Sequence, residues 1–186
     1  MGFPKWNSRT SGLAAGLAGG LLVAGQYFAS AQQLRFDSAG LRAGVTANES
    51  GTAFHQVETV AKWDTPLDWD FGQGWWMKLQ ASVSAGWLGD PGHDAFIGTA
   101  GPGALLGCGV FPVTFEGGLS PTFLSQPDFG TKNLGSNAQF TSYAGLNFHL
   151  GSTVRLSYRF QHMSNAGLSS HNPGLNLHMF GVSLHF

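Results

Sequence analysis

His162 and Ser164 stand two residues apart, and their side chains are those of a base and a nucleophile. A serine hydroxyl attacks poorly at neutral pH until an imidazole beside it takes its proton. In an extended strand successive side chains alternate between two faces, so positions i and i+2 share one. On a strand, therefore, His162 and Ser164 point the same way and lie within reach of each other. If the following strand returns without a bulge, Asn176 and His178 come alongside on that face. Asn176 then offers a third polar group able to orient the imidazole. The same H-x-S pattern also describes the polar end of a strand that rises out of an apolar layer into water. The elements that carry the pair have to be read before its chemistry is.

Those elements alternate. From Trp75 to Trp87 one face carries Trp75, Met77, Leu79, Ala81, Val83, Ala85 and Trp87, and the other Trp76, Lys78, Gln80, Ser82, Ser84 and Gly86. Leu41, Ala43 and Val45 alternate with Arg42, Gly44 and Thr46. Val57, Thr59, Ala61 and Trp63 alternate with Gln56, Glu58 and Lys62, and Val60 breaks the polar row. Phe111, Val113 and Phe115 alternate with Thr114 and Glu116. Ala138, Phe140, Ala144, Leu146, Phe148 and Leu150 face away from Gln139, Thr141, Tyr143, Asn147 and His149. The rows Leu156-Tyr158-Phe160-His162 and Phe180-Val182-Leu184-Phe186 complete seven segments, and the Gly-rich residues 95–106 make a weaker eighth. Turn-forming residues separate them at Gly89-Asp90-Pro91-Gly92, at Leu150-Gly151-Ser152 and across 126–135.

Composition selects among the folds that alternate. The 186 residues are 42% hydrophobic, 13% aromatic and only 10% charged, with 28 glycines. A soluble β-barrel or sandwich also alternates, but it needs a charged outer face, and this chain has too few ionic groups to wet one. The expectation is an all-β chain, an eight-stranded antiparallel transmembrane β-barrel. Its outer face meets lipid, and its narrow interior is filled by side chains such as Lys78, Glu116, Arg155 and Arg159, able to pair inside. Trp63, Trp75, Trp76 and Trp87 read as interfacial anchors, and Cys108 as a small packing residue. Nine Lys and Arg against ten Asp and Glu give no basic excess for nucleic acid. Asp64, Asp68 and Asp70 lack the ligand spacing of a calcium loop and read as a solvated loop or turn. No metal and no organic cofactor is implied.

Lys5 and Arg9 precede an apolar stretch over 12–24, followed by Ala29-Ser30-Ala31. A basic start, a short apolar core and an A-x-A end read as a secretory signal peptide, cleaved after Ala31. That leaves 32–186 as an exported outer-membrane barrel with the chemical motif in its last two strands. The chain ends on Phe186 in an apolar row, which is similar to the terminal signature that the bacterial barrel-assembly machinery reads.

Arg159-Phe160-Gln161-His162-Met163-Ser164-Asn165-Ala166-Gly167-Leu168, then Asn172-Pro173-Gly174 and a closing strand to a terminal Phe, resembles the PagL-type lipid A 3-O-deacylases. The match covers about residues 155 to 186. The resemblance implies an outer-membrane esterase that hydrolyses the 3-O-linked acyl chain of lipid A, with a Ser–His–acid site on its lipid-facing surface. It implies Ser164 as nucleophile and His162 as general base, with amides near Asn165 and Gly167 holding the oxyanion. The family's acid falls at Asn176, and no Asp or Glu occurs after Asp128. An amide orients an imidazole but does not neutralise its charge. His178 and His171 are further polar neighbours, read as surface or loop histidines. Face parity adds Phe160, Phe180 and Phe148 as contacts for the acyl chain. Lipid A is then the substrate, and outer-membrane lipid and a second copy in a homodimer are the partners of the wall. The rivals are a non-catalytic barrel, structural or lipopolysaccharide-binding, and a phospholipase or general esterase using the same pair.

Overall fold

Eight strands run antiparallel and close on themselves in sequence order. They are β1 (Arg35–Thr46), β2 (His55–Gly72), β3 (Trp75–Gly89), β4 (Asp94–Cys108), β5 (Val113–Leu124), β6 (Ala138–Leu150), β7 (Val154–Ser164) and β8 (Leu175–His185). The computed structural model describes residues 34–47, 53–130 and 132–186, and the predicted leader lies outside them. Closure leaves no strand edge within the wall, which is what a strand-built span of a membrane requires.

The expected faces are the observed ones. Leu41, Val45, Val57, Val83, Trp87, Phe115, Leu156, Phe160, Phe180, Val182 and Leu184 all lie exposed on the outside. The inside separates into two parts. Toward one end it holds ion pairs: Arg42 Nε to Glu58 Oε1 at 2.8 Å, Arg159 to the same oxygen at 3.2 Å, Lys62 Nζ to Glu116 Oε2 at 2.6 Å and Arg155 to Asp37 at 3.2 Å. Arg159 also lies over the Tyr143 ring at 4.5 Å. Glu116, Arg155 and Arg159 therefore do pair inside, with Lys62, Asp37 and Glu58 on distant strands, and Lys78 reaches Asp64 at 3.5 Å. Toward the other end Phe54, Leu88, Ile97, Leu124, Phe129, Leu134, Met163, Leu175, Leu177 and Met179 form a buried apolar plug. Val60, the break in the polar row, points inward and is buried.

Several boundaries differ from expectation. β2 continues to Gly72, so Asp68 and Asp70 belong to a strand rather than a loop, opposite Lys78 and Trp76. The register shifts between Asp64 and Asp68, where the chain has passed the start of β1 at Arg35 and pairs with β3 alone. Trp76 is on the row of Lys78, as alternation placed it, with the Lys78 ammonium 5.7 Å from its ring centre, so it does not share the outer row on which Trp75 and Trp87 can act as interfacial anchors. Phe111 lies in the turn before β5. The weakly alternating eighth segment is β4, whose ladder to β5 breaks off between Thr99↔Thr122 and Gly103↔Gly118, around Pro102 and Pro121, which have no N–H to give.

The connections at one end are short, at 73–74, 109–112 and 151–153. At the other end 125–137 and 165–174 are long, eight residues separate β1 from β2, and 90–93 is a four-residue turn like 109–112. In barrels of this kind short turns face the periplasm and long loops the exterior. The apolar plug and the C-terminal end of β7 lie at the long-loop end.

Candidate active site

β7 and β8 pair without interruption from Val154 opposite Leu184 to Met163 opposite Leu175. No bulge intervenes, so parity holds to the top of the hairpin, and His162 stands directly across from Asn176. On the other side β6 places Ser142 opposite His162 and Phe140 opposite Ser164. All of these are on the outward rows. The residues between them, Gln161, Met163, Leu175 and Leu177, point inward and are fully buried. The polar group is thus mounted on the outer wall and backed by the apolar plug, which keeps its backbone from yielding.

His162 Nδ1 and Asn176 Oδ1 are 2.8 Å apart. An amide oxygen only accepts, so Nδ1 carries the proton and Nε2 keeps its lone pair, the tautomer a general base needs. Gly174 makes room for the ring: it is buried at φ +64°, and a Cβ there would come 2.9 Å from His162 Cε1 and 3.6 Å from Nε2. Ser164 is half-buried beside it. No hydrogen bond joins Ser164 Oγ to His162 in this conformation, and in unliganded hydrolases such bonds commonly tighten only on binding.

The loop after Ser164 is tightly tied. Asn165 C=O accepts from Leu168 N–H at 2.9 Å, and Ala166 and Gly167 between them have φ of +52° and +83°. Two left-handed central residues are the signature of a mirror-image turn. Asn165 itself is fully buried, and its side-chain amide donates to Leu134 O at 3.1 Å and His171 O at 2.8 Å, pinning the 125–137 loop to this one. The expected oxyanion amides are both engaged: Asn165 N–H donates to Asn172 Oδ1 and Gly167 N–H to Asn165 Oδ1, each at 3.0 Å. In this conformation neither is available to a substrate oxygen. The amide of Ala166, between them, has no partner among the described residues.

Phe160 and Phe180 flank the site on the membrane side, 42% and 59% exposed. Phe148 does not join them. It pairs with Leu156 and Val113, six residues along β6 from Ser142, which at about 3.3 Å per residue is roughly 20 Å. His171 lies exposed in the loop, engaged through its backbone oxygen. His178 is hydrogen-bonded to Tyr158. Sequence reasoning missed Ser142, Gly174 and the Tyr158–His178 pair. Ser142 carried a signal, a hydroxyl in an otherwise apolar row, whereas the contact of Gly174 with the imidazole depends on the loop's path.

The sequence model of a family described as lipid A 3-O-deacylase (PagL) matches residues 51–185. A curated relative, the lipid A deacylase PagL of Bordetella bronchiseptica, is 30% identical over 141 residues, 68% of this chain and 75% of the relative. The protein of the same name from Pseudomonas aeruginosa is 32% identical over 123 residues, 59% of this chain and 69% of the relative. Among solved structures, the crystal structure of the outer membrane enzyme PagL superposes with a TM-score of 0.62 at 20% identity, over 77% of this chain and 97% of that one. That likeness is one of fold.

Proposed function

The chain belongs to the lipid A 3-O-deacylase (PagL) family of outer-membrane β-barrels, and from that premise we propose that it hydrolyses the 3-O-acyl ester of lipid A through Ser164 and His162. The hydrogen bond from His162 to Asn176 on the outer wall carries this reading. It fixes the basic tautomer on the face that meets the outer leaflet, at the end where the long loops emerge. A lipid held in that leaflet presents its ester to Ser164 without leaving the membrane.

His162 Nε2 takes the Ser164 proton as Oγ attacks the ester carbonyl, giving a tetrahedral oxyanion. The imidazolium then returns the proton to the leaving sugar oxygen, and an acyl-serine remains. Water, deprotonated by the same nitrogen, attacks the acyl-serine and releases the fatty acid and free Ser164. The oxyanion forms beside the 165–167 loop, where the unpartnered Ala166 amide is the available donor and the Asn165 and Gly167 amides join after letting go of their side-chain acceptors. Phe160 and Phe180 receive the first part of the acyl chain. Asn176 orients the imidazole without neutralising it, so the transition state carries less charge compensation than a carboxylate would supply. The leader over 1–31 directs export, and the C-terminal Phe186 engages the barrel-assembly machinery.

Mass spectrometry of lipid A from cells expressing the wild type, Ser164→Ala and Asn176→Glu tests the reading. The wild type yields lipid A lacking one acyl chain, Ser164→Ala yields intact lipid A, and Asn176→Glu raises the yield. Intact lipid A from all three, with folded barrels in the outer membrane, refutes it and leaves a lipopolysaccharide-binding barrel.

A further inference from the structure

Ser142 is not used in the steps above, yet it stands on β6 directly across from the candidate base, His162. Its side chain is exposed on the outward row, where Phe140, Ala144 and Leu146 are its neighbours along the strand and Leu119 faces it from β5. The hydroxyl has no hydrogen-bond partner among the described residues. A bare hydroxyl on a row that faces lipid costs free energy, which makes it a functional lead rather than packing.

The orientation of the imidazole gives that hydroxyl a task. The two ring nitrogens direct their bonds nearly opposite ways. Nδ1 is spent on Asn176 of β8 at 2.8 Å, so Nε2 turns away from β8, toward β6 and the strand end. Gly174 agrees: a Cβ there would lie closer to Cε1, at 2.9 Å, than to Nε2, at 3.6 Å. Four outward side chains frame the space that Nε2 faces, His162 and Ser164 on β7 and, across from them, Ser142 and Phe140 on β6. The two strands lie about 5 Å apart, and positions i and i+2 about 6.6 Å. Polar side chains across such a frame reach one another through a single water. The 165–174 loop begins directly above, so water enters from the loop end of the barrel.

We infer that Ser142 is a catalytic residue of the second half of the reaction, holding the water that hydrolyses the acyl-serine. One O–H of that water donates to His162 Nε2 and the other to Ser142 Oγ, which leaves a lone pair of its oxygen aimed at the carbonyl carbon on Ser164. As the oxygen bonds to that carbon, Nε2 takes the first proton. Collapse of the tetrahedral adduct breaks the bond from carbon to Ser164 Oγ, and the proton returns to that Oγ as the fatty acid leaves. In the first half Ser164 Oγ is itself the partner of Nε2, and Ser142 has no part. The inference rests on the deacylase reading, since it needs an acyl group on Ser164.

That division of labour is read by kinetics. Full-length wild type, Ser142→Ala and Ser142→Thr in detergent micelles are compared on p-nitrophenyl tetradecanoate, an ester whose leaving group departs without a proton. Here kcat/KM reports acylation, and kcat reports hydrolysis of the acyl-serine once that step limits. Ser142→Ala lowers kcat at least fivefold and leaves kcat/KM unchanged, so KM falls in step. Intact-protein mass spectrometry during turnover shows the tetradecanoyl adduct accumulating in Ser142→Ala and absent from Ser164→Ala. Ser142→Thr, which keeps the hydroxyl, restores kcat. A smaller fall in kcat, a joint fall of kcat and kcat/KM without the adduct, or a Ser142→Thr no faster than Ser142→Ala overturns the inference. A wild type that hydrolyses no ester ends the Ser164 reading and this one with it, whereas an active wild type with an unaltered Ser142→Ala ends this one alone.

Discussion

Replacing Gly174 by alanine perturbs the candidate base without touching a polar atom. The added Cβ would lie 2.9 Å from His162 Cε1, about 0.5 Å inside the 3.4 Å at which ordinary contact begins. The imidazole is the movable partner, since Gly174 is buried in its loop, but its Nδ1 is held at 2.8 Å by Asn176. Relief therefore stretches that bond or swings Nε2 away from Ser164. A misplacement approaching 1 Å costs on the order of 100-fold in rate, so kcat should fall about 10- to 100-fold. KM should change little, because Phe160 and Phe180 are untouched. The variant also suffers backbone strain, since alanine at φ +64° loses roughly 1–2 kcal/mol. Gly151→Ala separates the two effects. Gly151 has φ +71° in the turn between β6 and β7, at the opposite end of the barrel, and a Cβ there meets nothing within 4 Å. Both variants should lose similar stability to urea in detergent, and only Gly174→Ala should lose deacylation, read as the ratio of intact to shortened lipid A over time. A Gly174→Ala rate within about threefold of wild type would refute the steric argument. So would an equal loss in Gly151→Ala.

Other outcomes follow from the same structure. Glu116→Ala leaves Lys62 buried and uncompensated, and should cost about 3–5 kcal/mol in urea unfolding; Lys62→Met with Glu116→Leu should recover most of it. Met163→Ala hollows the plug directly behind the wall between His162 and Ser164, with an expected loss of about 2–5 kcal/mol and a lower kcat in the purified protein. In the loop between β3 and β4, the amides of Gly92 and His93 donate to Asp90 Oδ1 and hold its carboxyl below the usual carboxylate range. A lowered carboxyl contributes stability above its unfolded pKa and loses it as pH falls through the folded value. Hydrogen exchange at those two amides, corrected for intrinsic rate, should therefore quicken only in acid, and Asp90→Asn should remove that dependence.

Much of the barrel is legible because strand periodicity is local. Parity along each segment fixes which side chains share a face, and the scarcity of charge decides that the apolar face meets lipid. The H-x-S pair and its position at a strand end need nothing more. The polar interior was visible as Lys78, Glu116, Arg155 and Arg159, but not its partners, because Arg159 meets Glu58 across 101 residues of chain. Asp68 and Asp70 looked like a loop because β2 outruns β1, and nothing local records where a neighbouring strand begins.

The site divides along the same line. Residue types and spacing determined that His162 and Ser164 face one way, while an acid at the place of Asn176 is only what the family resemblance implies. Only the closed barrel decided that β7 and β8 pair without a bulge, since one inserted residue would have carried Asn176 to the inner face. Only the folded loops engaged the Asn165 and Gly167 amides with side chains, set Gly174 against the imidazole and left Phe148 about 20 Å away. Side-chain direction is a property of each strand, whereas register, loop path and distance are set by closure and by packing against the interior plug.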